Sequence, residues 1–128
     1  MKIKCFEDLE IWKESRELCK IVYDITSKKG FLTDFRFKDQ MRAAAGSSMD
    51  NIAEGFGRGG NKEFCQYLSI SLGSVSEVRS QAYRAFDCQY IDKEALNEIL
   101  EITDKLCRKT SNFMKYLKSS EIKGPKYK

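Results

Sequence analysis

The chain has 128 residues, 41% of them hydrophobic and 33% charged, with a net charge of +4. That is the size of one ordinary domain, which buries roughly two-thirds of the surface its unfolded chain exposes, and the composition excludes a disordered or membrane-embedded class. Apolar runs of a few residues fall far short of the roughly 20 that span a bilayer, and acids within MKIKCFEDLEIW interrupt any signal-peptide core; a soluble cytoplasmic protein is expected.

Histidine is absent. This removes the usual general base near neutral pH and the commonest metal ligand, so no enzyme, cofactor or metal site is expected. Cys5, Cys19, Cys65, Cys88 and Cys107 are odd in number and never form a CxxC pair. They fit neither a disulfide framework nor a zinc site, and most read as small helical hydrophobes.

The first helix is predicted over about 6–27, where Ile11, Ser15, Leu18, Val22 and Ile25 recur at alternating three- and four-residue steps. Asp24 and Lys28 are spaced as an i,i+4 pair before a Lys28-Lys29-Gly30 stop. A second helix over about 36–57 places Phe37, Met41, Ala44, Ser48, Ile52 and Phe56 on one face. With Thr33 as its N-cap, Leu32 and Phe37 would form a hydrophobic staple. The small residues from Ala43 to Ser48 allow a neighbouring helix to approach closely.

The third helix is predicted over about 62–89 with Asn61 as its N-cap. Its seam of Phe64, Leu68, Ser71, Val75, Val78, Ala82 and Ala85 repeats in four- and three-residue steps. No charged residue occurs between Phe64 and Ser76, and the face opposite the seam carries Ser69, Gly73, Ser76 and Ser80, with Leu72 and Tyr83 beside it. A helix poor in charge all round is usually covered all round, so this surface is expected to meet another protomer. The alternative is an exposed, weakly polar surface.

A fourth helix, over about 93–118, opens with Ile91 before the N-cap candidate Asp92 and Leu96 after it, again a staple. Its seam is Leu96, Ile99, Thr103, Leu106, Thr110, Phe113 and Leu117. Four amphipathic helices with short connections and no persistent period-two alternation define an all-α single domain, an antiparallel up-down-up-down four-helix bundle. A basic tail, 119–128, follows.

From Lys105 to Lys128 there are eight bases against Glu121 alone. Part of this excess complements the helix dipole, because Glu94, Glu98, Glu101 and Asp104 occupy the other end of the helix. Glu101 with Lys105 and Asp104 with Arg108 are also favourably spaced pairs. Lys115, Lys118, Lys123, Lys126 and Lys128 remain, as phosphate-binding candidates for RNA or DNA or as a solvated tail.

The most distinctive stretch is GSSMDNIAEGFGRGGNKEF, from Gly46 to Phe64. On a helix Asn51, Glu54 and Arg58 fall within an arc of about 60°, which suggests a polar latch at the helix end. The other reading is an anion site built from the glycine turn and the Arg58 guanidinium. The Gly55-x-Gly57-x-x-Gly60 spacing matches a dinucleotide fingerprint only formally, because no strand precedes it.

FEDLEIWKESREL near the start, DQMRAAAGSSMDNIAEGFGRGGNKEFCQYLSISLGSVSEV in the middle and a charged last helix resemble the four-helix bundle proteins related to those encoded in 23S rRNA intervening sequences. Gln40, Arg42, Asn51, Glu54, Gly55, Arg58, Glu63 and Phe64 match that family's central motif. The resemblance implies an antiparallel bundle assembling as a ring-like homopentamer, as in the related accessory proteins of diversity-generating retroelements, which engage nucleic acid and a reverse transcriptase through a basic surface. It implies no settled activity for the intervening-sequence branch. Ser47, Ser48, Met49, Asp50 and Asn51 stand where the family usually carries a proline, so an unkinked second helix is expected. Lys38 stands where Thr or Ser is often found near that helix start. The resulting expectation is a non-enzymatic oligomeric scaffold that contacts nucleic acid, with a protein-interaction adaptor as the alternative.

Overall fold

The computed structural model describes residues 3–120. Four helices make up the fold: α1 (Glu10–Thr26), α2 (Phe35–Arg58), α3 (Asn61–Asp87) and α4 (Lys93–Ser120), with short 3-10 turns at Phe6–Asp8 and Lys29–Phe31. Among the described residues there is no strand, and no helix is long and apolar enough to cross a membrane.

Contacts between the helices establish an up-down-up-down bundle. Cys19 meets Ala45 while Thr26 meets Arg42, so α1 and α2 run antiparallel. Ser71 with Ser48 and Ser74 with Ser47 show the same for α2 and α3, and Asn61 with Leu117 and Arg79 with Leu100 for α3 and α4. Glu14 and Lys109 join α1 to α4 and close the square.

The apolar seams enter the core as the periodicity requires. Every named seam residue of α1 and α3 is buried; on α2 and α4 only Phe56 and Phe113 stay partly exposed. Both rings flank Phe64, at centroid distances of 5.9 and 5.6 Å in edge-on geometry, a favourable arrangement for aromatic pairs. In the small-residue run, Ala44, Ala45 and Ser48 are buried, and the Ser71 hydroxyl donates to the Ser48 carbonyl at 2.8 Å. α2 runs unbroken, consistent with its lack of proline.

Several helix ends differ from expectation. The chain before α1 is a 3-10 turn whose break lies at Leu9, because Asp8 Oδ2 accepts the backbone N–H groups of Lys4 and Cys5. Those two donors hold the Asp8 carboxyl below its usual value. α2 is capped by Asp34, not Thr33: its Oδ1 accepts from Phe37 N at 3.3 Å, and a carboxylate also answers the positive end of the dipole. Leu32 is consequently exposed and forms no staple at the expected position. For α3 the N-cap is Gly60; Asn61 is already helical, and its side-chain amide donates to the Leu117 carbonyl at 3.0 Å. Asp92 does cap α4, with Oδ1 accepting from Ala95 N at 2.8 Å and Ile91 and Leu96 both buried. Gly30 does not stop α1, which ends at Thr26 with Ser27 as its C-cap.

At the end of α3, Gln89 adopts φ 66°. Tyr90 N donates to Ala85 O at 2.8 Å and Gln89 N to Phe86 O at 2.9 Å, the double closure of a Schellman motif. Gly59, at φ 103°, ends α2 in the same left-handed region.

Candidate functional sites: the signature helix end, the polar ties and the basic helix

The structure separates the signature residues into three places. Glu54 and Arg58, one helical turn apart on α2, form an ion pair at 3.2 Å. The Arg58 guanidinium stands 5.3 Å from the Tyr67 ring centre, and the Tyr67 hydroxyl lies 3.5 Å from Glu54 Oε2. This arrangement raises the Arg58 pKa, first through the hydrogen bond to Glu54 and then through Tyr67. The side chains are 48% and 56% exposed, so solvent screens the pair. The anion reading meets a guanidinium already engaged by a carboxylate.

Asn51 does not join the latch. Its Nδ2 donates to the carbonyl and hydroxyl oxygens of Ser47 at 2.8 and 2.9 Å, and Ser74 donates to the same Ser47 hydroxyl. Asn51 therefore supports the α2–α3 seam, because an asparagine amide finds the nearer carbonyl one turn back. Gly55 lies within α2. A Cβ there would lie 2.5 Å from Tyr67 Cβ and 3.0 Å from Phe64 Cδ1. Its role is close approach of α3, and it sets Tyr67 beneath Arg58. No strand precedes this glycine, so the dinucleotide match has no structural basis.

Arg42 lies at the other end of the bundle. Its Nε donates to Thr26 Oγ1 at 2.8 Å and its NH2 to Ser27 Oγ at 3.1 Å, and its guanidinium sits 4.2 Å from the Tyr23 ring centre. Cation and ring together close the C-terminal end of α1. Arg79 repeats the device between α3 and α4, donating to Leu100 O and Thr103 Oγ1, both at 2.8 Å. In each case the threonine is buried and its hydroxyl donates to the carbonyl four residues back, which leaves Oγ1 as an acceptor for arginine. Thr103 stands with Thr110 in a seam whose other members are apolar, a sequence signal for such a tie; Arg42 was marked only by its match to the family motif, and Arg79 carried no signal. Lys109 and Glu14 tie α4 to α1, and that bond raises the Lys109 pKa.

On α4, Lys115 and Lys118 are exposed and belong to no ion pair among the described residues. Asp104 pairs with Arg108 at 3.2 Å and Asp24 with Lys28 at 3.5 Å. Glu101 and Lys105, also exposed, form no such pair. Lys123, Lys126 and Lys128 lie outside the described residues. On α3, Ser69, Gly73, Ser76, Ser80 and Tyr83 are exposed and Leu72 is half-buried. They form a surface with Ile70, 52% exposed, at its edge.

These features define an all-α four-helix bundle whose arginines and threonines fasten adjacent helices. The chain belongs to the 23S rRNA-intervening sequence protein family, whose model matches residues 7–112. A crystal structure of a protein with unknown function from the S23 ribosomal protein family of Bacteroides thetaiotaomicron VPI-5482 has the same fold. It agrees with a TM-score of 0.74 at 16% sequence identity, over 82% of this chain and 98% of that one. No curated protein matches the chain.

Proposed function

We propose that the protein is a non-enzymatic, self-associating scaffold that holds RNA or DNA against the basic end of α4. The observation that carries this reading is the pair Lys115 and Lys118, exposed one turn apart and in no ion pair among the described residues. Self-association draws support from the uncharged α3 surface, whose Ile70 and Tyr83 are about half exposed. Association would also multiply the lysines on one body. The polar side chains described above fasten helices to one another, which favours a scaffold over a reaction centre. Gel-shift titration of RNA and duplex DNA at two salt concentrations tests the proposal: affinity should fall steeply with salt, and Lys115→Glu with Lys118→Glu should flatten the salt slope by about one unit per lysine. Absence of any shift at low salt refutes it. The second reading, an adaptor without nucleic acid, is favoured by exposed Leu32 and Phe35 at the start of α2, and predicts a specific protein that co-purifies after nuclease treatment.

A further inference from the structure

The outer seam between α1 and α2 carries three cation–ring pairs. The Arg16 guanidinium stands 5.8 Å from the Trp12 ring centre, that of Arg42 4.2 Å from Tyr23, and Lys38 Nζ 5.1 Å from Phe35. On α1, Trp12, Arg16, Lys20 and Tyr23 fall within an arc of about 80°; on α2, Phe35, Lys38 and Arg42 fall within about 60°. Arg42 over Tyr23, and the Cys19 thiol against Ala45 and Met49, place the two arcs side by side. Neither arc contains an acid. Arg16, Lys38 and Arg42 are in no ion pair among the described residues. Lys20 meets Glu17 at 3.5 Å, but these side chains are 62% and 59% exposed and solvent screens them. Tyr23 is 53% and Phe35 64% exposed.

We propose that this face binds a single strand of RNA or DNA, with bases stacked on Phe35 and Tyr23 and phosphates held by the cations beside them. Every base has a flat π-face, so an exposed ring accepts one whatever the sequence. In a duplex those faces are already stacked on one another, and rings on the protein surface gain nothing from it. Arg42 is fixed in place: Thr26 and Ser27 hold its Nε and one terminal nitrogen, which leaves the other to meet a phosphate with little freedom to lose. Phe35 to Arg42 covers about 10 Å along α2, and Tyr23 to Trp12 about 16 Å along α1. The stripe is therefore about 26 Å long and suits the short end of single-strand sites, about four nucleotides. The inference deepens the nucleic-acid reading above by naming the form of the strand, and it rests on a different surface. Because α2 and α4 run parallel, Phe35 lies at the opposite end of the bundle from Lys115 and Lys118.

Trp12 is the chain's single tryptophan and reports on this face, because a base arriving beside it quenches its fluorescence. Oligo(U) and oligo(dT) of about eight nucleotides should both quench the wild type, and a duplex should not. Phe35→Ala and Tyr23→Ala, at exposed positions, should each weaken single-strand binding about five-fold or more; Tyr23→Phe keeps the ring and should bind like the wild type, and unchanged melting curves confirm folding. Lys115→Glu with Lys118→Glu should leave the quenching in place, so that failure of the α4 surface is seen separately. Alanine variants that bind oligo(U) as tightly as the wild type, or binding that leaves Trp12 unquenched, overturn the inference and leave the α4 surface standing. Poly-glutamate that displaces the strand at equal charge shows a face that reads charge without bases, and overturns it as well.

Discussion

The Tyr90 hydroxyl donates to Asp34 Oδ2 at 2.9 Å, while Oδ1 of the same carboxylate accepts the Phe37 backbone N–H. One side chain thus caps α2 and holds the connection between α3 and α4. Around it the rings of Phe31, Phe37 and Tyr90 lie 5.0 to 6.2 Å apart. Gly30 completes the contact, because a Cβ there would lie 2.8 Å from Tyr90 Cα. Asp34→Ala should destabilise the bundle by about 1–2 kcal/mol through loss of the cap alone, and further through the orphaned phenol. Asp34→Asn should retain most of the cap; equal losses in urea melts of the two variants would contradict this account.

The same bond makes stability pH-dependent at the alkaline end. Hydrogen bonding to Asp34, then burial, raises the Tyr90 pKa above its ordinary value near 10. A raised folded-state pKa contributes stability that is fully present below the unfolded value and is lost as pH rises through the folded one. The melting-temperature difference between wild type and Tyr90→Phe should therefore stay constant up to about pH 10 and close above it. A difference that stays constant to pH 11.5 or so would show that the phenol proton plays no part.

Gly55 and Gly73 should respond oppositely to alanine. At Gly55 the new methyl meets Tyr67 and Phe64 at distances no relaxed contact allows, and overpacking of this kind costs about 1–3 kcal/mol. At Gly73 nothing lies within 4 Å, so helix propensity should stabilise the protomer by about 0.8–1 kcal/mol. Chemical denaturation of the two variants side by side measures both signs.

Gln89 occupies a left-handed position that glycine enters without penalty. Gln89→Gly should raise stability by up to about 1 kcal/mol, whereas Gly59→Ala, at φ 103°, should lower it by a similar amount. Thermal melts that rank the two variants the other way would contradict the backbone argument.

The five thiols should differ in reactivity. Burial pushes the Cys19 pKa up to about 11, and its Sγ lies 3.2 Å from the Ala45 carbonyl, so little thiolate is available at pH 8. Cys88 is exposed on the connection after α3. Alkylation followed by mass spectrometry should label Cys88 early and Cys19 only on unfolding.

Periodicity alone determined four helices and their seams, because an α-helix shows the core a face every three or four residues and this chain keeps that rhythm without a proline before its tail. It also placed the Asp92 cap and the pairing of Glu54 with Arg58, which are relations within one turn. Tertiary packing decided the rest. Asn51 stands on the same arc as Glu54 and Arg58 yet binds Ser47, and Tyr67 joins the latch from another helix. Gly55, which the sequence offered only as part of a motif, is a contact surface for α3, and Arg42 and Arg79 find threonines 16 and 24 residues away in the chain. A helical repeat specifies direction around one axis; which groups from a second axis arrive there depends on how closely the helices approach, and in this bundle the buried small residues and Gly55 set that distance.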